Sequence, residues 1–135
     1  MAYWLLKTEP STYSFDDLVR DRQTRWDGIK NPVALRNLRT AVKGDVAVVY
    51  HTGGVRAAVG TATVLGPAYV DPEKGDSKLA VIDLAAGDRL ARPVTLDELK
   101  SDPAFAGSPL LRQGRLSFVP LTDAQWKSIQ SRASK

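Results

Sequence analysis

Short apolar blocks alternate along this chain with helix-start signals. Residues 3–7, YWLLK, are apolar and aromatic and run into Glu9-Pro10, the pattern of a first strand. Ser14 stands three residues before Asp17, a capping pair that predicts a short helix through Leu18 and Val19. Asn31-Pro32 predicts a second helix, with Asn as cap and Pro at the first helical position, where its missing N–H costs little. That helix is expected to turn Val33, Ala34, Leu38 and Val42 inward and Arg36, Arg39 and Lys43 outward. It is expected to end at Lys43-Gly44-Asp45.

Residues 45–52, DVAVVYHT, are rich in valine and read as a buried strand. Beyond Gly53-Gly54, RAAVGTATVLG (56–66) reads as its neighbour, with Gly60 marking a bulge. LAVIDLA (79–85) is expected as a third long strand. Thr95 and Glu98 form a capping box for a helix of about two turns. LSFVPL (116–121) is a strand again, and Thr122 with Gln125 caps a final helix that places Trp126 and Ile129 on one face. Trp4 and Trp126, each within a regular element, are assigned to the core. No repeat, low-complexity tract or linker interrupts the sequence. The expectation is one α+β domain over residues 1–135, a small curved sheet or β-barrel with helices packed outside.

One stretch breaks the pattern. RWDGIKN (25–31) sets Trp26 against Asp-Gly, a strong turn signal, with cations on both sides. Either the ring folds back onto the core, or it stands where something packs against it.

Charge changes the picture more by distribution than by its net value of +4. Arg20 to Lys43 carries seven cations against Asp21 and Asp27, and Ala104 to Lys135 carries five against Asp123. The segments between and before them are net acidic. If folding joins the two basic segments, they form a patch that attracts phosphates; otherwise they are a solvated surface.

Cysteine is absent, so disulfides, thiolate nucleophiles and thiolate metal sites are excluded. His51 is the only histidine, and a zinc site would have to pair it with carboxylates alone. No nucleophile elbow, Walker A or dinucleotide fingerprint occurs. On residues alone the expectation is a chain that is not an enzyme, needs no metal or cofactor, and uses His51 structurally. There is no signal-peptide pattern and no run of about 20 apolar residues, so a soluble, cytoplasmic protein without a membrane partner is expected.

Five separated motifs carry a further reading: YWLLKTEP (3–10), YSFDDL (13–18), WDGIKN (26–31), KGDVAVVYHT (43–52) and RLSFVPLTDAQW (115–126). Their order and spacing, over nearly the whole chain, resemble the EVE domain family. The resemblance implies a PUA-like fold related to the YTH readers of N6-methyladenine. It also implies a monomeric, non-catalytic binder of DNA or RNA that carries a modified base. Such a reader takes the base out of the stack and holds it against aromatic faces.

By the same resemblance, Trp26 falls where a wall of the base cage would lie, with Asp27 beside it. Lys7, Thr8 and Glu9 would line the same pocket, and Tyr69 would be a second wall. Asn31, Tyr50, His51 and Thr52 would be hydrogen-bonding partners and supports, with Leu116 and Ser117 at the rim. Arg25, Lys30, Arg36 and Arg115 would contact phosphates. The chain departs from the family pattern in three places. Ile29-Lys30 replaces Val-Arg, Thr52 ends a Tyr-His-Ser triplet, and Val33, Ala34 and Leu35 replace Gln-Ala-Arg. Lysine in place of arginine loses the bidentate fork that grips a phosphate or base edge.

Each residue also has a structural role open to it. Trp26 can pack on the 32–42 helix, Asn31 can cap that helix, and Tyr50 and Thr52 can satisfy strand ends. Lys7 can be an exposed strand charge, and Arg115 can pair with Asp123. Two other classes of function stay open. One is an enzyme acting on a nucleobase, with Glu9, Asp27 or His51 as acid or base. The other is an accessory module for a protein or a nucleotide-like metabolite.

Overall fold

The computed structural model describes residues 2–112 and 116–134. Along the chain come β1 (Tyr3–Thr8), α1 (Phe15–Asp21), β2 (Gln23–Trp26), α2 (Pro32–Thr40), β3 (Val46–His51) and β4 (Ala57–Val64). They are followed by β5 (Tyr69–Val70), β6 (Ala80–Thr95), α3 (Leu96–Lys100), α4 (Pro109–Arg112), β7 (Phe118–Leu121) and α5 (Asp123–Ala133). The strands form one mixed sheet in the order β2-β6-β4-β3-β1-β7, with β5 paired to β6 beside that path. The path is open, so the architecture is the curved sheet and not the closed barrel.

Consecutive strand residues point to opposite faces, and both Leu5 and Leu6 of β1 are fully buried. The sheet is therefore covered on both sides at its centre. There β1 runs parallel to β3, with Lys7 opposite Tyr50 and Thr8 opposite His51, and antiparallel to β7. The pairing brings polar ends of β1 and β3 to one end of the sheet. Register shifts flank Gly60 in the β4–β6 pairing, the irregularity expected at that glycine. Glycine is required at this position for a steric reason: a Cβ at Gly60 would run into the buried ring of Phe15.

Local capping explains the helix starts. Ser14, Thr95 and Thr122 each form a capping box, and Asn31 Oδ1 accepts from the N–H groups of Val33 and Ala34. The expected α2 needs correction at its other end. It stops at Thr40, with Ala41 as C-cap, because the N–H of Val42 is taken by Asp45 Oδ2 at 3.0 Å. Val42 is 57% exposed and Val33 is also exposed, while Leu35 joins Ala34 and Leu38 on the buried face. That set follows from helical spacing counted from the Asn31 cap.

Other boundaries move for tertiary reasons. The expected strand at 79–85 continues to Thr95, because β6 pairs with β2 and β5 first and then with the full length of β4. The Thr95 helix is only five residues long. The tryptophans diverge as well. Trp4 is buried and stacks on Phe118, whereas Trp126 is partly exposed and stacks on Tyr3 at 4.8 Å. Among the described residues no helix is long and apolar enough to cross a membrane.

Candidate modified-base pocket

The strand β2 ends on Trp26, opposite Ile82 of β6, and the chain then turns through Asp27 and Gly28, whose φ of +83° suits glycine. That turn faces the polar end of β1 across a hollow of about 470 Å³. Lys7, Thr8, Glu9, Trp26, Asp27 and Ser117, six of the residues expected at a pocket, all line it. So do Arg25, expected as a phosphate contact, and Thr12, Tyr13, Thr24, Gly28 and Ile29, which carried no expected role.

Trp26 resolves the choice posed by the sequence by doing both things. It is only 9% exposed and belongs to the core, and it still forms part of the wall. Tyr13 meets it edge to face, with centroids 5.6 Å apart and planes at 82°. Tyr13 is itself fixed at both ends. Its carbonyl accepts from Thr8 Oγ1 at 2.6 Å, and its hydroxyl donates to Asp21 at 2.8 Å. The aromatic in YSFDDL was the available signal for this partner, but nothing local showed which ring it would meet.

Glu9 lines the same hollow, and its carboxylate accepts from the backbone N–H of Ser11 at 2.6 Å and from the Ser11 hydroxyl. The Ser11 hydroxyl and then its N–H hold the Glu9 pKa below the ordinary carboxylate value, so Glu9 presents an ionised acceptor. Gly53 makes room for it, since a Cβ there would overlap the carboxylate. Burial lowers the Lys7 pKa from the ordinary lysine value. The backbone N–H of Lys7 donates to Ser117 O at 2.8 Å, which ties β1 to the segment before β7.

The remaining expected residues lie elsewhere. Tyr69 is outside this hollow: its hydroxyl donates to Asp83 at 2.7 Å and accepts from Arg25 Nε at 3.3 Å. Arg25 also lies 3.6 Å from buried Asp71 and 3.8 Å from Glu73, so Tyr69 acts on the rim as a tether for Arg25. Asn31 caps α2, Leu116 is buried, and Arg36 is exposed on α2. Lys30 borders a much smaller depression that shares Asp27, Gly28 and Ile29 with the main hollow. Tyr50 and Thr52 face a different hollow, and Thr52 binds back to the carbonyl of Thr8 through its N–H at 3.0 Å. Arg115 lies outside the described residues.

His51 has a structural partner: its Nε2 accepts from the N–H of Phe15 at 3.0 Å, supplying the first turn of α1 with an acceptor. Burial, the leading cause, lowers its pKa below the ordinary 6.5, with Arg89 adding to it and Asp16 and Glu9 opposing. The fold thus favours neutral His51. Its contribution is complete above the unfolded-state pKa and is lost as pH falls through the lower folded-state value. As pH falls from about 7.5 to about 5, wild type should lose stability that His51→Gln, which accepts but does not titrate, does not lose. Urea midpoints at the two pH values measure this, and parallel profiles for the two proteins would contradict it.

The chain was also compared with known proteins. The model of the EVE domain family matches residues 2–132. Thymocyte nuclear protein 1 of Rattus norvegicus is 30% identical over 163 aligned residues, covering 96% of this chain and 72% of its own. An NMR structure of a Rhodopseudomonas palustris protein superposes with a TM-score of 0.92 at 34% identity, covering 99% of this chain and 94% of that one. Human THYN1, solved in complex with 5-methylcytosine-containing DNA, superposes with a TM-score of 0.89 at 25% identity, covering 100% of this chain and 99% of that one. By the family match and the shared fold, the chain belongs to the EVE domain family.

Proposed function

We propose that this chain works as a single, non-catalytic domain that binds DNA carrying a modified base, with that base turned out of the stack into the hollow beside Trp26. One observation carries the reading: an aromatic wall, an ionised acceptor and a cationic donor converge on one open pocket in a chain similar along its whole length to a protein solved with 5-methylcytosine DNA. The pocket volume lies within the roughly 300–1,000 Å³ of small-molecule sites, enough for one extruded base.

The chemistry of the lining suits a cytosine edge. The exocyclic amino group of cytosine is a donor, and Glu9 is an acceptor; the ring carbonyl is an acceptor, and Lys7 is a donor. Trp26 and Tyr13 offer apolar surface to the ring and to a methyl substituent. The rim cations Arg25 and Lys30 hold the flanking backbone, and that part of the binding weakens with salt.

The test is Glu9→Gln, which keeps size and removes the charge of the acceptor. It should weaken binding of a 5-methylcytosine oligonucleotide by roughly 10- to 100-fold, the range of a hydrogen bond to a charged group. Binding to an abasic oligonucleotide of the same length should be unchanged. Equal losses for both oligonucleotides would remove Glu9 from base contact, and unchanged binding of the modified one would contradict the pocket reading.

A further inference from the structure

A second hollow, of about 380 Å³, opens on the other side of Lys7. Lys7, Tyr50, Thr52, Arg56 and Lys100 supply its polar surface, and leucines of α3 and α4 its apolar surface. No carboxylate lines it. Neither Arg56 nor Lys100 forms an ion pair with another described residue, in contrast to Arg20, Arg25, Arg89, Arg92 and Arg132. Arg56 and Lys100 repel one another, and an anion between them relieves that repulsion.

Tyr50 is the independent sign of a ligand. The residue is 3% exposed, yet its hydroxyl hydrogen-bonds no described residue. No enclosed side-chain N or O atom among the described residues lacks a partner, so this oxygen stands at the open wall of the hollow. Tyr50 and Arg56 line the same hollow, where burial raises the phenol pKa and the charge of Arg56 opposes that rise. A protonated phenol between cations is a donor waiting for an acceptor.

We infer that this hollow takes the phosphodiester next to the base held beside Trp26, with the adjoining nucleotide against its leucine wall. The inference rests on the proposed function, because Lys7 lines both hollows and so fixes how closely the two ligand parts follow each other along one strand. A backbone phosphate fits better than a free anion, since the hollow is too large for inorganic phosphate alone and half its wall is apolar.

The experiment compares wild type with the Arg56→Gln/Lys100→Gln double variant, using 5-methylcytosine and cytosine oligonucleotides over a range of salt. A third oligonucleotide carries a neutral methylphosphonate beside the modified base. The double variant should bind about tenfold or more weakly and show a salt slope smaller by about 1 per cation removed. The methylphosphonate should weaken wild type but not the double variant, and the ratio of affinities for the two bases should stay as in wild type. Tyr50→Phe, which removes one hydroxyl and keeps the ring, should show part of the same loss.

Equal methylphosphonate losses in both proteins, or an unchanged salt slope, would overturn the second site while an intact base preference left the first standing. Loss of inorganic phosphate or mononucleotide binding, with oligonucleotide affinity unchanged, would assign the hollow to a free anion and overturn the backbone role. Absence of binding to any oligonucleotide by wild type would overturn both.

Discussion

Replacing Trp26 by alanine is expected to cost about 3–5 kcal/mol of stability and to abolish preference for a modified base. The size follows from burial: the indole is 9% exposed, closes the end of β2 against the core and holds Tyr13 edge to face. Against a domain stability of about 5–15 kcal/mol, such a loss leaves a folded but weakened protein at low temperature. Trp26→Phe separates the two effects. It keeps an aromatic wall and most of the packing, so its urea midpoint should fall much less, while its affinity ratio for modified over plain base should still drop. A Trp26→Ala variant with the wild-type midpoint would contradict the burial, and one with the wild-type ratio would contradict the pocket wall.

The second large effect is expected at Asp45, which lies far from any expected binding role. Its carboxylate is 1% exposed and accepts three hydrogen bonds: from Ala2 N–H at 3.0 Å, Trp4 Nε1 at 3.1 Å and Val42 N–H at 3.0 Å. Burial pushes its pKa up, but the bonds from Val42, Ala2 and Trp4 outweigh burial and bring it below the ordinary 3.8. Alanine there strands three donors, at a cost of about 3–4 kcal/mol after partial rescue by water. Asp45→Asn, which keeps one acceptor but turns an amino group toward donors, should fall between. By linkage, the Asp45 contribution is present above pH 3.8 and is lost as pH falls through the lower folded-state value. Urea denaturation of the three proteins tests this, and a change of less than about 1 kcal/mol in Asp45→Ala would contradict it. Base preference should survive in both variants at temperatures where they remain folded.

These two residues also show where the sequence was legible. Helix starts could be read because each is a local event: Ser14, Asn31, Thr95 and Thr122 cap the N–H groups two or three residues on. The end of α2 could not, because Val42 looks like the next turn of an apolar stripe until Asp45 captures its N–H. Asp45 itself, in a strand-opening turn, carried no sign that it would accept from Trp4, 41 residues earlier.

The candidate site divides the same way. The motif string placed Lys7, Thr8, Glu9, Trp26, Asp27 and Ser117, and the fold gathers all six around one hollow. It also suggested Tyr69 as a wall, where tertiary contacts make it a tether between Arg25 and Asp83. The meeting of Tyr13 with Trp26, and the hollow around Tyr50, Arg56 and Lys100, depend on segments that the fold brings together. Spacing along the chain holds no trace of such meetings.

One titration tests the base pocket most directly. Two oligonucleotides that differ by a single 5-methyl group on one cytosine, at equal length and salt, are added to wild type and to Trp26→Phe while tryptophan fluorescence is followed. Wild type is expected to bind the methylated oligonucleotide more tightly, with a fluorescence change from Trp26 that the variant lacks. Identical affinities for the two oligonucleotides, with no signal dependent on Trp26, would contradict it.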